Sequence, residues 1–118
     1  MGKKLLSIDD SGFERKVLKN ALEEEFEFIE AENAEEGLEE YSEERPDVVL
    51  LDIRLPDRDG IEVLKELTEK YDNPNVIMVS IVREEETKQK AKEMGATDYV
   101  EKPVEEDELL ETVKASLE

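Results

Sequence analysis

The sequence predicts one α/β domain in which helices cover both faces of a five-stranded parallel sheet. Five short apolar segments alternate with five segments whose apolar residues recur at helical spacing, and the connections between them are only a few residues long. Parallel neighbours need helical crossovers, and these crossovers are right-handed, so we expect a doubly wound, three-layer arrangement. With 118 residues, the chain has room for a single domain over residues 1–118 and for no second one.

Each predicted strand is a short apolar run that ends in a charge, a hydroxyl or a turn. The second strand alternates apolar with acidic residues, which is typical of an edge strand with one wetter side. The third consists of four consecutive apolar residues, which indicates burial on both faces. The five strands are predicted at residues 4–8, 26–31, 48–51, 76–79 and 96–100.

Each predicted helix carries an apolar stripe, and three helices have recognisable ends. Asn33, with Glu36 three residues later, matches an N-cap; the helix after the third strand begins near Asp59; and Gly95 is positioned to end the fourth helix. The residues predicted to face inward are Phe13, Val17, Leu18, Ala21, Leu22, Ala34, Leu38, Tyr41, Ile61, Leu64, Leu67, Tyr71, Thr87, Ala91, Met94, Leu109, Leu110, Val113 and Leu117.

Composition excludes several classes of function. The formal charge of −19 would repel a phosphate backbone, so we expect no direct binding to nucleic acid. The chain has no cysteine and no histidine, which removes disulfides, thiolate metal sites and Ser-His-Asp catalysis. Its apolar runs are too short to span a membrane, and we therefore expect a cytoplasmic protein.

Four of the five predicted strands lead into polar residues that are candidates for a site. These residues are Asp9 with Asp10, Asp52, Ser80 and Lys102. Each alone has an ordinary explanation, because acids and hydroxyls often cap the following helix and charges are common at exposed strand ends. In an open parallel sheet, however, these ends meet in the crevice where the strand order reverses, so together they predict one site.

Three converging acids predict a cation and a phosphate chemistry. Two carboxylates about 4 Å apart repel by about 4 kcal/mol at an effective dielectric constant near 20. Oxygen ligands without nitrogen or sulfur select Mg²⁺ or a similar ion. With Lys102 as a point charge for phosphate and Ser80 as a hydroxyl donor, Asp52 is left as the nucleophile of a phosphoryl transfer that needs no general base.

Four sequence segments together resemble the receiver domain of two-component response regulators, the single-domain chemotaxis type included. They are IDDS after the first strand, LLDIRLPDRDG around the third, VS at the end of the fourth and GATDYVEKP before the last helix. The resemblance spans nearly the whole chain. It implies a flavodoxin-like fold with strand order 2-1-3-4-5.

The resemblance also implies a role for each acid of the site. Asp52 would be the phosphoacceptor, Asp10 a direct Mg²⁺ ligand and Asp9 a ligand through water. The main-chain carbonyl of Arg54 would be the third protein ligand, and Lys102 would pair with the phosphoryl group.

The remaining implications concern signal output. Ser80 and Tyr99 resemble the family's switch pair, and the peptide bond before Pro103 is expected to be cis. The phosphoryl group would come from a histidine kinase or a phosphotransfer protein. A downstream protein would bind the face of helix four, strand five and helix five, and the chain would be a monomer or a phosphorylation-dependent dimer. It would catalyse only its own phosphotransfer and dephosphorylation.

The sequence departs from the family at two positions that predict consequences. Ile81 follows Ser80 where a small residue is usual, so we expect it to crowd the path to Asp52, slow phosphorylation by small donors and lengthen the life of the phosphoaspartate. Ser7 stands in the first strand where an apolar residue is usual, and the sequence names no partner for its hydroxyl. Arg54 and Val82 flank the site at positions that tune dephosphorylation in this family.

Two alternatives remain open at this stage. The chain could be an engineered or idealised receiver-like α/β scaffold without a signalling role, which its Glu-rich helices and lack of Cys, His and Trp make worth testing. A Mg²⁺-dependent phosphatase ranks last, because such enzymes place a second Asp two residues after the nucleophile, and Arg54 stands there.

Overall fold

The computed structural model describes residues 2–118 as five strands and five helices in strict alternation. None of the helices in this range is both long and apolar enough to span a bilayer. The elements are β1 (Lys3–Ile8), α1 (Gly12–Leu22), β2 (Phe26–Ala31), α2 (Ala34–Glu44), β3 (Val48–Leu51), α3 (Gly60–Lys70), β4 (Val76–Ser80), α4 (Glu85–Glu93), β5 (Asp98–Glu101) and α5 (Glu106–Ser116).

All five strands form one parallel sheet in the order β2-β1-β3-β4-β5. The predicted fold class and strand order are therefore confirmed. The order reverses between β1 and β3, which is where ligands bind in open α/β sheets. Ile8 pairs with Leu51 across this boundary, so the acids that follow the two strands start from neighbouring positions.

Two apolar layers enclose the sheet. Residues of α2, α3 and α4 pack on one face, and Leu18, Leu22, Leu109 and Val113 of α1 and α5 pack on the other. Along β3, Val49 and Leu51 belong to the first layer and Val48 and Leu50 to the second, because successive strand side chains point to opposite faces. The predicted burial of this strand on both faces is thus confirmed.

Two residues of α1 that were predicted to face inward, Phe13 and Val17, lie outside both apolar layers. Phe13 is 75% exposed, whereas the buried face of α1 is formed by Leu18 and Leu22. At about 100° per residue, Phe13 lies about 140° from Leu18 and about 180° from Leu22 around the helix. The apolar residues of α1 therefore lie on two faces of the helix. The face that carries Leu18 and Leu22 packs against the sheet.

The start of β5 also differs from the prediction. The strand begins at Asp98 rather than at residue 96, because the Ala96 N–H still donates to the Ala91 carbonyl at 3.0 Å and so closes the end of α4. Gly95 makes this turn with a φ of 109°, a conformation that glycine adopts without strain, as expected of a residue that follows a helix.

Candidate functional site

Three acids meet where β1 and β3 end. Ligand oxygens of Asp9, Asp10 and Asp52 all lie within 4.8 Å of one another. Asp9 and Asp52 are buried, at 2% and 7% exposure, and Asp10 is exposed. The Asp52 N–H donates to the Ile8 carbonyl at 3.0 Å, which continues the ladder between the two strands and fixes the acids side by side.

Lys102, which follows β5, reaches across the sheet to this cluster. Its Nζ donates to Asp9 Oδ2 at 2.7 Å and to Asp52 Oδ2 at 3.0 Å, and the residue is 6% exposed. Burial alone would lower the pKa of Lys102, but the hydrogen bonds and charges of Asp9 and Asp52 outweigh it, so its pKa is raised above the ordinary value. The lysine is therefore a fixed cation, and the Lys102-Pro103 peptide bond that follows is cis.

The backbone at the end of β1 holds Asp9 in place. Asp9 Oδ1 accepts from the Ser11 N–H at 2.9 Å, and the Asp9 carbonyl accepts from Arg15 Nη1 at 2.6 Å. Ser11 caps α1 by accepting from the Glu14 N–H at 3.2 Å. The capping explanation for this segment is thus correct for Ser11. It does not account for Asp10, whose carboxylate has no hydrogen-bond partner in the described part of the chain.

The loop after β3 depends on a glycine that sequence reasoning missed as a site residue. The Gly60 N–H donates to the Ile53 carbonyl at 2.7 Å, and a Cβ at Gly60 would lie 2.1 Å from the Asp52 carbonyl oxygen. Any other residue would therefore displace the backbone that carries Asp52. The Asp59-Gly60 pair at the start of α3 was the available signal, and it was interpreted only as a helix start.

A second residue of this loop, Asp57, was also missed. Its two carboxylate oxygens accept from the Ala34 N–H at 2.9 Å and the Glu35 N–H at 3.0 Å, so it caps α2 from the neighbouring loop. The hydrogen bond from Ala34 is the main cause that lowers the pKa of Asp57. Asp57 thereby ties the loop that follows β3 to the N-terminus of α2.

Ser80 and Tyr99 both connect to Val82. Ser80 is fully buried, its Oγ accepts from the Val82 N–H at 3.2 Å, and its carbonyl accepts from the Lys102 N–H at 2.9 Å. Tyr99 Oη donates to the Val82 carbonyl at 2.5 Å. Burial raises the pKa of the Tyr99 phenol, although the Ser80 hydroxyl and Lys88 partly oppose the rise. The two residues are thus both bonded to the backbone of one loop residue.

The predicted site residues therefore fall into an inner group and a flanking group. The inner group is Asp9, Asp10, Asp52 and Lys102. The flanking group is Arg54, Ser80 and Tyr99. Arg54 is exposed, and its backbone N–H donates to Asp52 Oδ1 at 3.3 Å. Arg54 and Val82 also line a neighbouring groove of about 530 Å³. Ile81, next to Ser80, is 56% exposed.

Comparison with known proteins gives one consistent answer. Residues 5–114 match the model of the response regulator receiver domain. The chain is 41% identical to the chemotaxis protein CheY of Halobacterium salinarum over 114 residues, which cover 96% of this chain and 95% of that protein. It superposes on a CheY-like receiver domain protein of Methanospirillum hungatei with a TM-score of 0.93 and 33% identity, covering 99% of this chain and 94% of that one.

A third relative was solved in a complex. It is the CheY of Borrelia burgdorferi, with CheX, BeF₃ and Mg²⁺. The TM-score is 0.91 at 32% identity, and the match covers 96% of this chain and 87% of that one.

Proposed function

The chain belongs to the response regulator receiver domain family, and from this premise we propose that it is a phosphorylation-activated switch of the CheY type whose phosphoacceptor is Asp52. The proposed donor is the phosphohistidine of a histidine kinase or of a phosphotransfer protein. The observation that supports the proposal most strongly is the Lys102 ammonium, held 2.7 Å from Asp9 and 3.0 Å from Asp52. A buried cation beside the acceptor carboxylate can stabilise the charge on the oxygens of a transferred phosphoryl group.

In the proposed transfer, one carboxylate oxygen of Asp52 attacks phosphorus while the bond from phosphorus to the donor nitrogen breaks. The donor imidazole, protonated on its other nitrogen, leaves as the neutral base. A carboxylate nucleophile has no proton to lose, so a chain without histidine needs no general base. Lys102 pairs with one phosphoryl oxygen as charge develops there, and the Ser80 hydroxyl donates to another.

The acid cluster fits a divalent metal ion. All its donors are oxygens, and its three carboxylates exceed the single ammonium of Lys102 by two negative charges. We propose that Asp9, Asp10 and Asp52, with the carbonyl of Arg54, hold Mg²⁺. When bound, the ion supplies positive charge that helps neutralise the phosphoryl oxygens.

We propose that the signal leaves through Ser80 and Tyr99. To donate to a phosphoryl oxygen on Asp52, the Ser80 side chain would turn away from the Val82 N–H, and loss of that bond would free the loop to which Tyr99 is also bonded. The equilibrium between two arrangements of α4 and β5 then shifts, and the face of α4, β5 and α5 binds a target protein. The Borrelia relative, solved with CheX bound to its BeF₃ form, supports a protein as the target.

The test is the backbone NMR spectrum with Mg²⁺ and beryllofluoride, which mimics a phosphoryl group. We expect shifts at Asp52, Ser80, Val82 and Tyr99, and none of them in the isosteric variant Asp52→Asn. A wild-type spectrum that does not change would overturn the proposal and favour an inert receiver-like scaffold. Steady turnover of a phosphate ester, abolished by Asp52→Asn, would favour the phosphatase instead.

A further inference from the structure

Arg83, in the connection from β4 to α4, is bonded to the backbone of the site lysine. Its Nη2 donates to the Lys102 carbonyl at 2.7 Å, and its Nη1 lies 3.7 Å from Glu101 Oε1. The Arg83 side chain is 59% exposed, so burial does not dictate this position. The guanidinium therefore spans the last residue of β5 and the residue that follows it.

This contact completes the fixation of Lys102. The Lys102 N–H donates to the Ser80 carbonyl at 2.9 Å, and its Nζ is held by Asp9 and Asp52. The flexible four-carbon stem of a lysine places its ammonium reproducibly only when its main chain is fixed. Within residues 2–118, Arg83 is the one side chain that bonds the main chain of Lys102.

We propose that Arg83 is a positioning residue for phosphoryl transfer: by bonding the Lys102 carbonyl, it keeps the lysine ammonium directed at Asp52. The inference rests on the proposed function of the site and extends it to a residue outside the acid cluster. Arg83 acts through Lys102 and does not itself contact the acceptor carboxylate.

The same contact links the lysine to the switch residues. The segment from Ser80 to Arg83 bonds Tyr99 through the Val82 carbonyl and bonds Lys102 through the Arg83 guanidinium. A movement of this segment is therefore transmitted to both residues. The position of the lysine and that of Tyr99 are therefore coupled through this segment.

The test compares Arg83→Met with Lys88→Met. Lys88 bonds the other oxygen of the Glu101 carboxylate, so each variant removes one positive charge beside Glu101, and only Arg83→Met removes the bond to Lys102. Phosphorylation by acetyl phosphate with Mg²⁺ is expected to slow about tenfold in Arg83→Met. This loss is smaller than the reduction of about 100-fold that a 1 Å misplacement of a catalytic group can cause. Lys88→Met is expected to keep the wild-type rate.

A second readout uses neither phosphodonor nor metal. The ¹⁵Nζ–¹H resonance of the Lys102 ammonium is expected to exchange with water about threefold faster in Arg83→Met, and at the wild-type rate in Lys88→Met. Melting temperatures establish that both variants are folded. Wild-type behaviour of Arg83→Met in both readouts, or equal effects of the two variants, would overturn the proposal.

The two readouts also separate this inference from the proposed function. If the wild-type chain accepts no phosphoryl group, the proposed function fails, and the ammonium resonance still decides whether Arg83 holds Lys102. If the wild-type chain is phosphorylated and both readouts are the same in the two variants, the role of Arg83 is rejected while the switch stands.

Discussion

The two fully buried serines of the sheet predict opposite effects of one substitution. Ser7 and Ser80 are both 0% exposed. Ser80 Oγ accepts a hydrogen bond from the Val82 N–H, whereas Ser7 Oγ has no partner within residues 2–118. By strand alternation, Ser7 lies on the face of Leu5, which α1 and α5 cover. Its hydroxyl is removed from bulk solvent and has no hydrogen-bond partner among the described residues.

Replacing Ser7 by Ala removes this unpaired group. An unsatisfied buried polar atom costs about 1–3 kcal/mol, and the loss of one oxygen atom leaves little empty space. The weaker strand propensity of Ala subtracts a few tenths of a kcal/mol, roughly, from this gain. Ser7→Ala should therefore raise the free energy of unfolding by about 1 kcal/mol. In a domain of this size the melting temperature then rises by about 4 °C.

Ser80→Ala is the matched control. The deletion leaves the Val82 N–H without its acceptor, and the free energy of unfolding should fall by about 1 kcal/mol. Urea titration measures both changes in the free energy of unfolding. A constant m value in the two variants shows that only the stability has changed. A Ser7→Ala protein less stable than wild type, at unchanged m, would refute the reasoning and mean that the hydroxyl is satisfied.

Three further predictions concern the site and its loops. Asp10→Asn removes one of the repelling charges, so stability should rise by about 1 kcal/mol at low ionic strength and less in salt, while titration calorimetry should find Mg²⁺ affinity at least about tenfold weaker. Ile81→Ala should speed phosphorylation of Asp52 by acetyl phosphate severalfold, and an unchanged rate would exclude steric gating. Asp57→Ala should lower the melting temperature at neutral pH through loss of the cap on α2. Because the pKa of Asp57 is depressed in the folded state, this difference is fully present above the ordinary carboxyl pKa and disappears as pH falls through the folded value, which thermal melts across acidic pH would measure.

The sequence predicted features that depend on neighbouring residues or on the topology of the sheet, and it missed features that depend on contacts between distant residues. β3 was predicted at residues 48–51 and observed at Val48–Leu51, because four apolar residues between polar ones leave little freedom. The inner site followed from topology, since parallel strand ends share one edge. The predicted burial of Phe13 was wrong because the apolar residues of α1 lie on two faces of the helix, and only the position of the sheet selects between these faces.

The roles of the missed residues depend on contacts that form only in the folded chain. Asp57 caps a helix more than 20 residues away in the chain, and Arg83 bonds a carbonyl 19 residues away. Gly60 is required by the close approach of the Asp52 backbone, which appears only once β3 and α3 are assembled. Ser7 was recognised as unusual, but the absence of a partner within the described residues emerged only from the packed structure.

The lysine that balances Asp9 is 93 residues away from it in the chain. During synthesis, Asp9 and Asp52, the two acids that Lys102 bonds, leave the ribosome long before Lys102 does, and the strand that precedes the lysine arrives only with it. A nascent chain thus carries two carboxylates for which burial is unfavourable until Lys102 has been synthesised. The proposed acceptance of a phosphoryl group is thereby tied to β5 and Lys102, and chains that end before Lys102 are expected to be silent in signalling.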